Sequence, residues 1–210
     1  MRVLQRRVAL LAACLPIAVA ITGCNQPPVA EAPSRSSPSV ASVPTAAPAQ
    51  SPVERGKMLV IGGGCHDCHT TKKVGPGGPE ADMSKMLSGH PQEIKVAAPF
   101  KPAKGSVWTI ATNDTLTAWS GAWGVSFAAN LTPDPETGLR MNEKNFMTAL
   151  KTGAHLGTAR PILPPMPWNW YGQLSDDDLK AMYAYLKSIP PIKNEVPAPL
   201  PPQGAPAAAK

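Results

Sequence analysis

The chain has 210 residues, a net charge of +6, 26 prolines, 5% aromatic residues and four cysteines. That length holds one medium-sized domain flanked by extended segments. Arg2, Arg6 and Arg7 carry half of the +6, and no basic–aromatic stripe accompanies the rest, which argues against nucleic acid as a partner.

Those three arginines form a basic n-region, and Val8 to Ile21 is an apolar run too short to span a bilayer comfortably. It ends in Ile21-Thr22-Gly23-Cys24, which resembles the bacterial lipobox. Residues 1–23 are therefore expected to be a lipoprotein signal peptide, with Cys24 lipidated and the mature chain tethered in the bacterial periplasm. An ordinary secretory signal with an incidental cysteine is the alternative. Arg6-Arg7 lacks the flanks of a twin-arginine signal, so the general secretory route is expected. Asn25 stands where an inner-membrane retention signal has aspartate, which favours the outer membrane. Cys14 falls inside the removed segment.

Residues 24–51 are rich in Pro, Ala and Ser and cannot bury enough surface to fold, so they read as a tether. Residues 196–210 have the same character and are expected to be a disordered tail. Residues 52–195 between them make one domain.

The domain opens on a predicted helix from Val53 to Ile61, with Val53, Met58, Leu59 and Ile61 as its apolar stripe and Gly62-Gly63-Gly64 as its stop. Next comes Cys65-His66-Asp67-Cys68-His69, a C-x-x-C-H pentad, the attachment pattern of a c-type haem. Two thiols at this spacing can each add to one vinyl of the same porphyrin, and His69 is then held beneath the ring as an axial iron ligand. His66 points away from the iron. A structural zinc site would need further ligands, and the only other cysteines, Cys14 and Cys24, lie in the export region. A thioredoxin-like dithiol would need a βαβ context that the pattern lacks. Three cysteines remain after cleavage, one for lipid and two for haem, and none for a disulfide.

A short helix is expected from Glu80 to Leu87. From Glu93 to Gly124 the pattern is not helical, and Val107–Ile110 and Leu116–Trp119 read as two strands around Asn113-Asp114. A further helix starts after Asn142, with Phe146, Met147 and Leu150 inward and Gly153 as its stop. The last is the clearest: Ser175 caps it, Asp176, Asp177 and Asp178 suit its first turn, Leu179, Met182, Tyr183 and Leu186 form one face, and Pro190-Pro191 ends it.

A low-spin haem needs a second axial ligand. Met166 sits in Pro164-Pro165-Met166-Pro167-Trp168, where prolines stiffen the backbone and leave little ordering cost for a sulfur donor. Met58, Met147 and Met182 fall on apolar helical faces and read as packing. Met83 and Met86 are weaker rivals, and His90 or His155 would give bis-histidine ligation. Around the ligands, His69 is expected to donate its other ring N–H to the carbonyl of Pro76 or Pro79, and Arg160 is a candidate partner for the haem propionates. Trp108, Trp119, Trp123, Trp168 and Trp170 are expected mostly in the core or the wall of the haem pocket.

The order of helix, C-x-x-C-H, long loop, Asn130-Leu131-Thr132-Pro133-Asp134, helix, Met166-Pro167 and helix resembles monohaem class I cytochromes c. More closely, it is similar to the cytochrome c domains of bacterial membrane-bound alcohol dehydrogenase cytochrome subunits and related lipoproteins. Arg55-Gly56, Gly64 to Thr70, Leu87-Ser88-Gly89, Thr137-Gly138-Leu139 and Leu174 to Ser188 also carry the likeness. The resemblance implies a mainly α, class I cytochrome c fold, from which this chain departs by an enlarged tryptophan-bearing loop, where the two-stranded hairpin read above would lie. It implies His69 and Met166 as axial ligands, and first and last helices that cross near Gly56 and Tyr183 or Tyr185. Unlike those subunits, this chain has one haem motif.

With both axial positions filled there is no open site for oxygen, peroxide or substrate, and no catalytic triad, phosphate loop or carboxylate pair appears. The expected function is a non-enzymatic one-electron carrier between redox partner proteins, a donor and an acceptor. A haem sensor or catalytic module with a dissociable Met166 is one alternative. An electron-accepting subunit of a dehydrogenase is another.

Overall fold

In the computed structural model the described residues are 50–202. The predicted signal peptide, Cys14, the lipidation candidate Cys24 and nearly all of the tether lie outside them, as do residues 203–210.

Helix α1 (Pro52–Gly62) begins with a full capping box: the Ser51 hydroxyl accepts from Glu54 N and the Glu54 carboxylate accepts from Ser51 N. Helix α2 (Cys65–His69) is one turn that carries the whole pentad. Strands β1 (Lys72–Gly75) and β2 (Gly78–Ala81) form a hairpin around Pro76-Gly77. The expected helix at Glu80–Leu87 is thus replaced by strand, and only a 3-10 turn at Met83–Lys85 remains. The glycines at 75, 77 and 78 turn the chain so sharply that Glu80 is spent on cross-strand pairing with Lys73.

The enlarged loop holds β3 (Ala111–Thr112), β4 (Ala118–Gly121) and β5 (Gly124–Phe127), an antiparallel sheet in that order. The expected turn at Asn113-Asp114 is there, because Asn113 Oδ1 accepts from both Thr117 N and Ala118 N. The strands themselves are displaced: Val107–Ile110 is not paired, and a third strand is added after the turn Ala122-Trp123. The Pro/Ala-rich tail also departs from expectation. Leu200 exchanges both backbone hydrogen bonds with Val125, at 2.9 and 3.0 Å, so the chain lies along the edge of β5 as far as residue 202.

Helices α3 (Glu143–Thr152), α4 (Trp168–Tyr171) and α5 (Asp176–Ser188) complete the domain. Asn142 and Ser175 cap α3 and α5 as read from the sequence, and α3 ends on left-handed Gly153. The core joins Val60, Leu87, Leu139, Phe146, Leu150, Leu179, Met182, Tyr185 and Leu186. Helices α1 and α5 cross at Gly56, where a Cβ would stand 1.9 Å from the Ala181 carbonyl oxygen and 2.9 Å from the Tyr185 Cβ. The partner of Gly56 is therefore Tyr185, whereas Tyr183 turns toward α3, stacking on Phe146 and donating to the Met141 carbonyl. The stripe assigned to α1 needs correction. Its buried residues are Gly56 and Val60, and Val53, Met58 and Ile61 are exposed, because close approach at a glycine replaces apolar bulk as the contact.

Candidate functional site

Cys65, Cys68 and His69 come together because left-handed Gly64 reverses the chain out of α1 and the single turn of α2 follows at once. Both thiols are free and half-buried. Burial pushes the Cys65 thiol up to about 11 and raises that of Cys68 as well, with the Asp67 carboxylate adding to both. A redox dithiol works with a depressed thiol, so this setting speaks against a thioredoxin-like pair. Among the described residues no group of three His, Cys, Asp or Glu side chains stands together as a metal cage.

The His69 ring is buried, and its Nδ1–H donates to the Ala129 carbonyl at 2.7 Å. Neither Pro76 nor Pro79 is the acceptor, since both are taken into the β1–β2 hairpin. The bond fixes the tautomer and leaves Nε2 as the lone-pair nitrogen. Among the described residues no hydrogen-bond partner stands at Nε2, so its lone pair is uncommitted. Two thiols on one turn beside an imidazole with a free, oriented Nε2 fit the donor set of a covalent haem.

His66 is not a loose surface residue. Its Nδ1 lies 2.9 Å from the Thr70 hydroxyl, which also accepts from Leu87 N, and its carbonyl accepts from Lys72 Nζ. His90 is fully buried and committed at both nitrogens. Nε2–H donates to the Ile94 carbonyl at 3.0 Å, and Nδ1 accepts from Thr117, itself linked to Thr115 and Asn113. Burial pushes the ring's pKa down. A ring that is neutral and used on both sides is not available as an iron ligand. His155 sits in a 3-10 turn, half-buried, also with its pKa pushed down by burial.

Met166 is half-buried and lies against the main core. Its loop is tied from both sides: Ser126 of β5 donates to the Pro164 carbonyl at 2.5 Å, and the Tyr171 hydroxyl donates to the carbonyl of Gly63, two residues before Cys65. The Pro164–Pro165 peptide is cis. Burial raises the Tyr171 hydroxyl to about 12, so it stays a neutral donor. Arg160 is exposed and spends one N–H on the Pro161 carbonyl at 2.9 Å. Of the other methionines, Met147 and Met182 pack as expected, whereas Met58 is exposed, as is Met83.

The tryptophans are less buried than expected. Trp119 reaches Cys68 and donates from its indole to the Leu116 carbonyl. Trp168 lies on Gly153, and Trp123 donates to Ser126. Trp108 and Trp170 are exposed. Ala129 and Tyr171 are site residues that the sequence reading missed. The first acts only through its carbonyl and carries no side-chain signal. The second falls between the matched stretches that end at Trp168 and begin at Leu174, and had no spacing to single it out.

No family model matches the chain. It is 28% identical over 149 residues to one of the subunits of the nicotinate dehydrogenase of Pseudomonas putida, 70% of this chain and 9% of that protein. It is 36% identical over 78 residues to the cytochrome c subunit of the quinone alcohol dehydrogenase of Gluconobacter oxydans, 36% of this chain and 16% of that one. It is 26% identical over 164 residues to the fructose dehydrogenase cytochrome subunit of Gluconobacter japonicus, 74% of this chain and 26% of that one. The matches thus span from 9% to 26% of the relatives' own length. On these grounds the chain is a relative of the cytochrome c subunits of dehydrogenases.

Proposed function

We propose that the protein is a non-enzymatic one-electron carrier with a single covalent haem c, built on a class I cytochrome c fold and held in the bacterial periplasm by a lipid on Cys24. The carrying observation is His69, with Nδ1 engaged by Ala129 and Nε2 uncommitted, on the same helical turn as two free thiols. Cys65 and Cys68 form the thioethers and His69 is the proximal ligand. Met166 is the distal ligand, favoured by its proline-framed loop and by the ties of that loop to Gly63 and Ser126. The haem, when bound, supplies an iron that accepts and returns one electron, with thioether ligation favouring the ferrous state over bis-histidine ligation.

The protein's own residues do the rest. Ala129 orients the imidazole, Trp119 walls the thiol side, and the Met166 loop keeps water and small ligands from the distal position. Arg160 offers its remaining N–H groups to the propionates. Among the described residues no helix is long and apolar enough to cross a membrane. In this reading the membrane attachment is the Cys24 lipid, with the outer membrane preferred because Asn25 replaces a retention aspartate.

A second reading shares this site: the electron-accepting subunit of a dehydrogenase complex. It is favoured by relatives that carry the name of dehydrogenase cytochrome subunits. Affinity isolation from native membranes separates the two, since stable recovery with a dehydrogenase supports the subunit and recovery alone supports the free carrier. For the haem itself, the test is a denaturing gel. Wild type should keep its haem-peroxidase stain, and replacing both Cys65 and Cys68 by Ala should abolish it. A stain that denaturant strips from wild type contradicts covalent attachment.

A further inference from the structure

The acceptor of the His69 proton is a backbone carbonyl, so whatever holds that carbonyl sets the geometry of the bond. The backbone of Ala128–Leu131 lies against the segment Leu87–His90. Gly89 N donates to the His69 carbonyl at 2.8 Å, and His90 N donates to the Ala128 carbonyl at 2.9 Å. Gly89, at φ +80, is so close that a Cβ there would stand 2.7 Å from the Ala129 oxygen and 2.4 Å from the Ala128 oxygen. One glycine peptide therefore touches both ends of the bond: the backbone of the donor histidine and the carbonyl that accepts from it.

That glycine is held by a residue far along the chain, in the proline-rich stretch after α5. The buried Asn194 amide donates to the two carbonyls on either side of Gly89, to Ser88 O at 2.7 Å and His90 O at 2.9 Å, and its Oδ1 accepts from Gln92 N at 2.9 Å. All three bonding positions that point inward are used. Asn130, adjacent to Ala129, completes the clamp. It donates to the Ile192 carbonyl at 2.8 Å and accepts from the amide and hydroxyl of Thr132. The two asparagines thus join residues 88–90, 128–132 and 192–194 into one fixed unit around the Ala129 carbonyl.

We propose that Asn194, together with Asn130, is a positioning residue for the His69 imidazole, acting through Gly89 and the Ala129 carbonyl to set how strongly that histidine donates to iron. This rests on the reading of His69 as the proximal haem ligand. A short, well-aligned Nδ1–H···O bond makes the ring a better donor and stabilises the ferric state. Loosening the clamp weakens that bond and moves the couple toward ferrous.

The test uses full-length holoprotein carrying Asn194→Ala or Asn130→Ala, with Asn142→Ala as a control that removes only the cap of α3. Two quantities are measured: the exchange rate of the His69 Nδ1 proton by NMR of the ferrous protein, and the midpoint potential. Both clamp variants should speed exchange roughly tenfold or more. They should also favour the ferrous form at least about threefold, which is about 28 mV at 59 mV per tenfold for one electron. The control should lower stability and leave both readouts in place. Should Asn194→Ala not fold, Thr137→Val cuts the hydroxyl that accepts from Asn194 N, and should move both readouts the same way by less. Clamp variants with an intact haem, lowered stability and wild-type exchange and potential would overturn the inference alone. A wild type whose iron is not bound by His69 would overturn the underlying reading with it.

Discussion

His90 shows how one residue can be decided by its neighbours. As a sequence position it is a second histidine near a haem motif, and therefore a rival ligand. In the fold its two nitrogens are spent on Thr117 and the Ile94 carbonyl, in a chain of hydroxyls whose proton direction is fixed. Its pKa lies below the ordinary histidine value because burial disfavours the charged form. The unfolded chain then binds the proton more readily than the folded one. The stabilisation is whole above the unfolded pKa and is lost as pH falls through the folded one. The urea midpoint should drop as pH falls below the ordinary histidine value of ~6.5, and His90→Phe should flatten that slope while lowering the plateau. A slope unchanged in the variant would contradict a neutral buried ring. Met166 is the complementary case. Met166→Ala should lose the weak sulfur-to-iron band at the red end of the oxidised spectrum and lower the potential, while Met83→Ala and Met86→Ala leave both in place. The pentad itself was legible because its chemistry is contained in five consecutive residues. The acceptor for His69 was not, because Ala129 lies 60 residues away and offers only its backbone.

Among the elements, the capped helices α3 and α5 were readable, since cap, periodicity and stop signal all lie within each segment. Ser175→Ala should remove about 1 kcal/mol by unpairing Asp178 N, measured as a shift in the urea midpoint at constant slope. Helix α1 was placed correctly but its face was misjudged. Hydrophobic periodicity searches for bulk, and here the decisive contact is the absence of a side chain at Gly56 against the Ala181 carbonyl. Gly56→Val should therefore cost about 3 kcal/mol, the upper end for overpacking, because the obstacle is helix backbone that cannot rotate away. A variant with wild-type stability would show that the helices do not cross there. Of the strands in the enlarged loop, the expected pair around Asn113-Asp114 is displaced and β5 escaped the sequence reading, for a different reason. The β4–β5 turn is Ala122-Trp123 between two glycines and lacks the Asn-Gly or Asp-Gly pair that marks a hairpin, so its register is set by pairing with β3 and with Leu200.

At the scale of the whole molecule, pieces that look unrelated in sequence serve one small site. The enlarged loop supplies Trp119 beside Cys68 and Ser126 beneath the Met166 loop. The stretch after α5, similar in composition to a disordered tail, supplies Asn194 to the segment that abuts Ala129 and Leu200 to the edge of β5. Composition misled at Leu200, inside the expected tail of 196–210, because backbone pairing with Val125 holds a proline-rich chain that has no apolar face; Asn194 lies within the domain read at 52–195. Attachment to the membrane belongs to the same scale: wild type should partition into detergent with an acylated N-terminus, and Cys24→Ala should be released or mis-processed. Intact mass without acyl chains would contradict the anchor. Electron transfer without catalysis depends on a haem closed on both faces, and carbon monoxide reads that closure directly. Added to the ferrous protein, it should leave the wild-type absorption bands unchanged and shift them in Met166→Ala. Rapid binding by wild type would mean that the distal position opens to ligands, and would contradict the carrier in favour of a haem sensor.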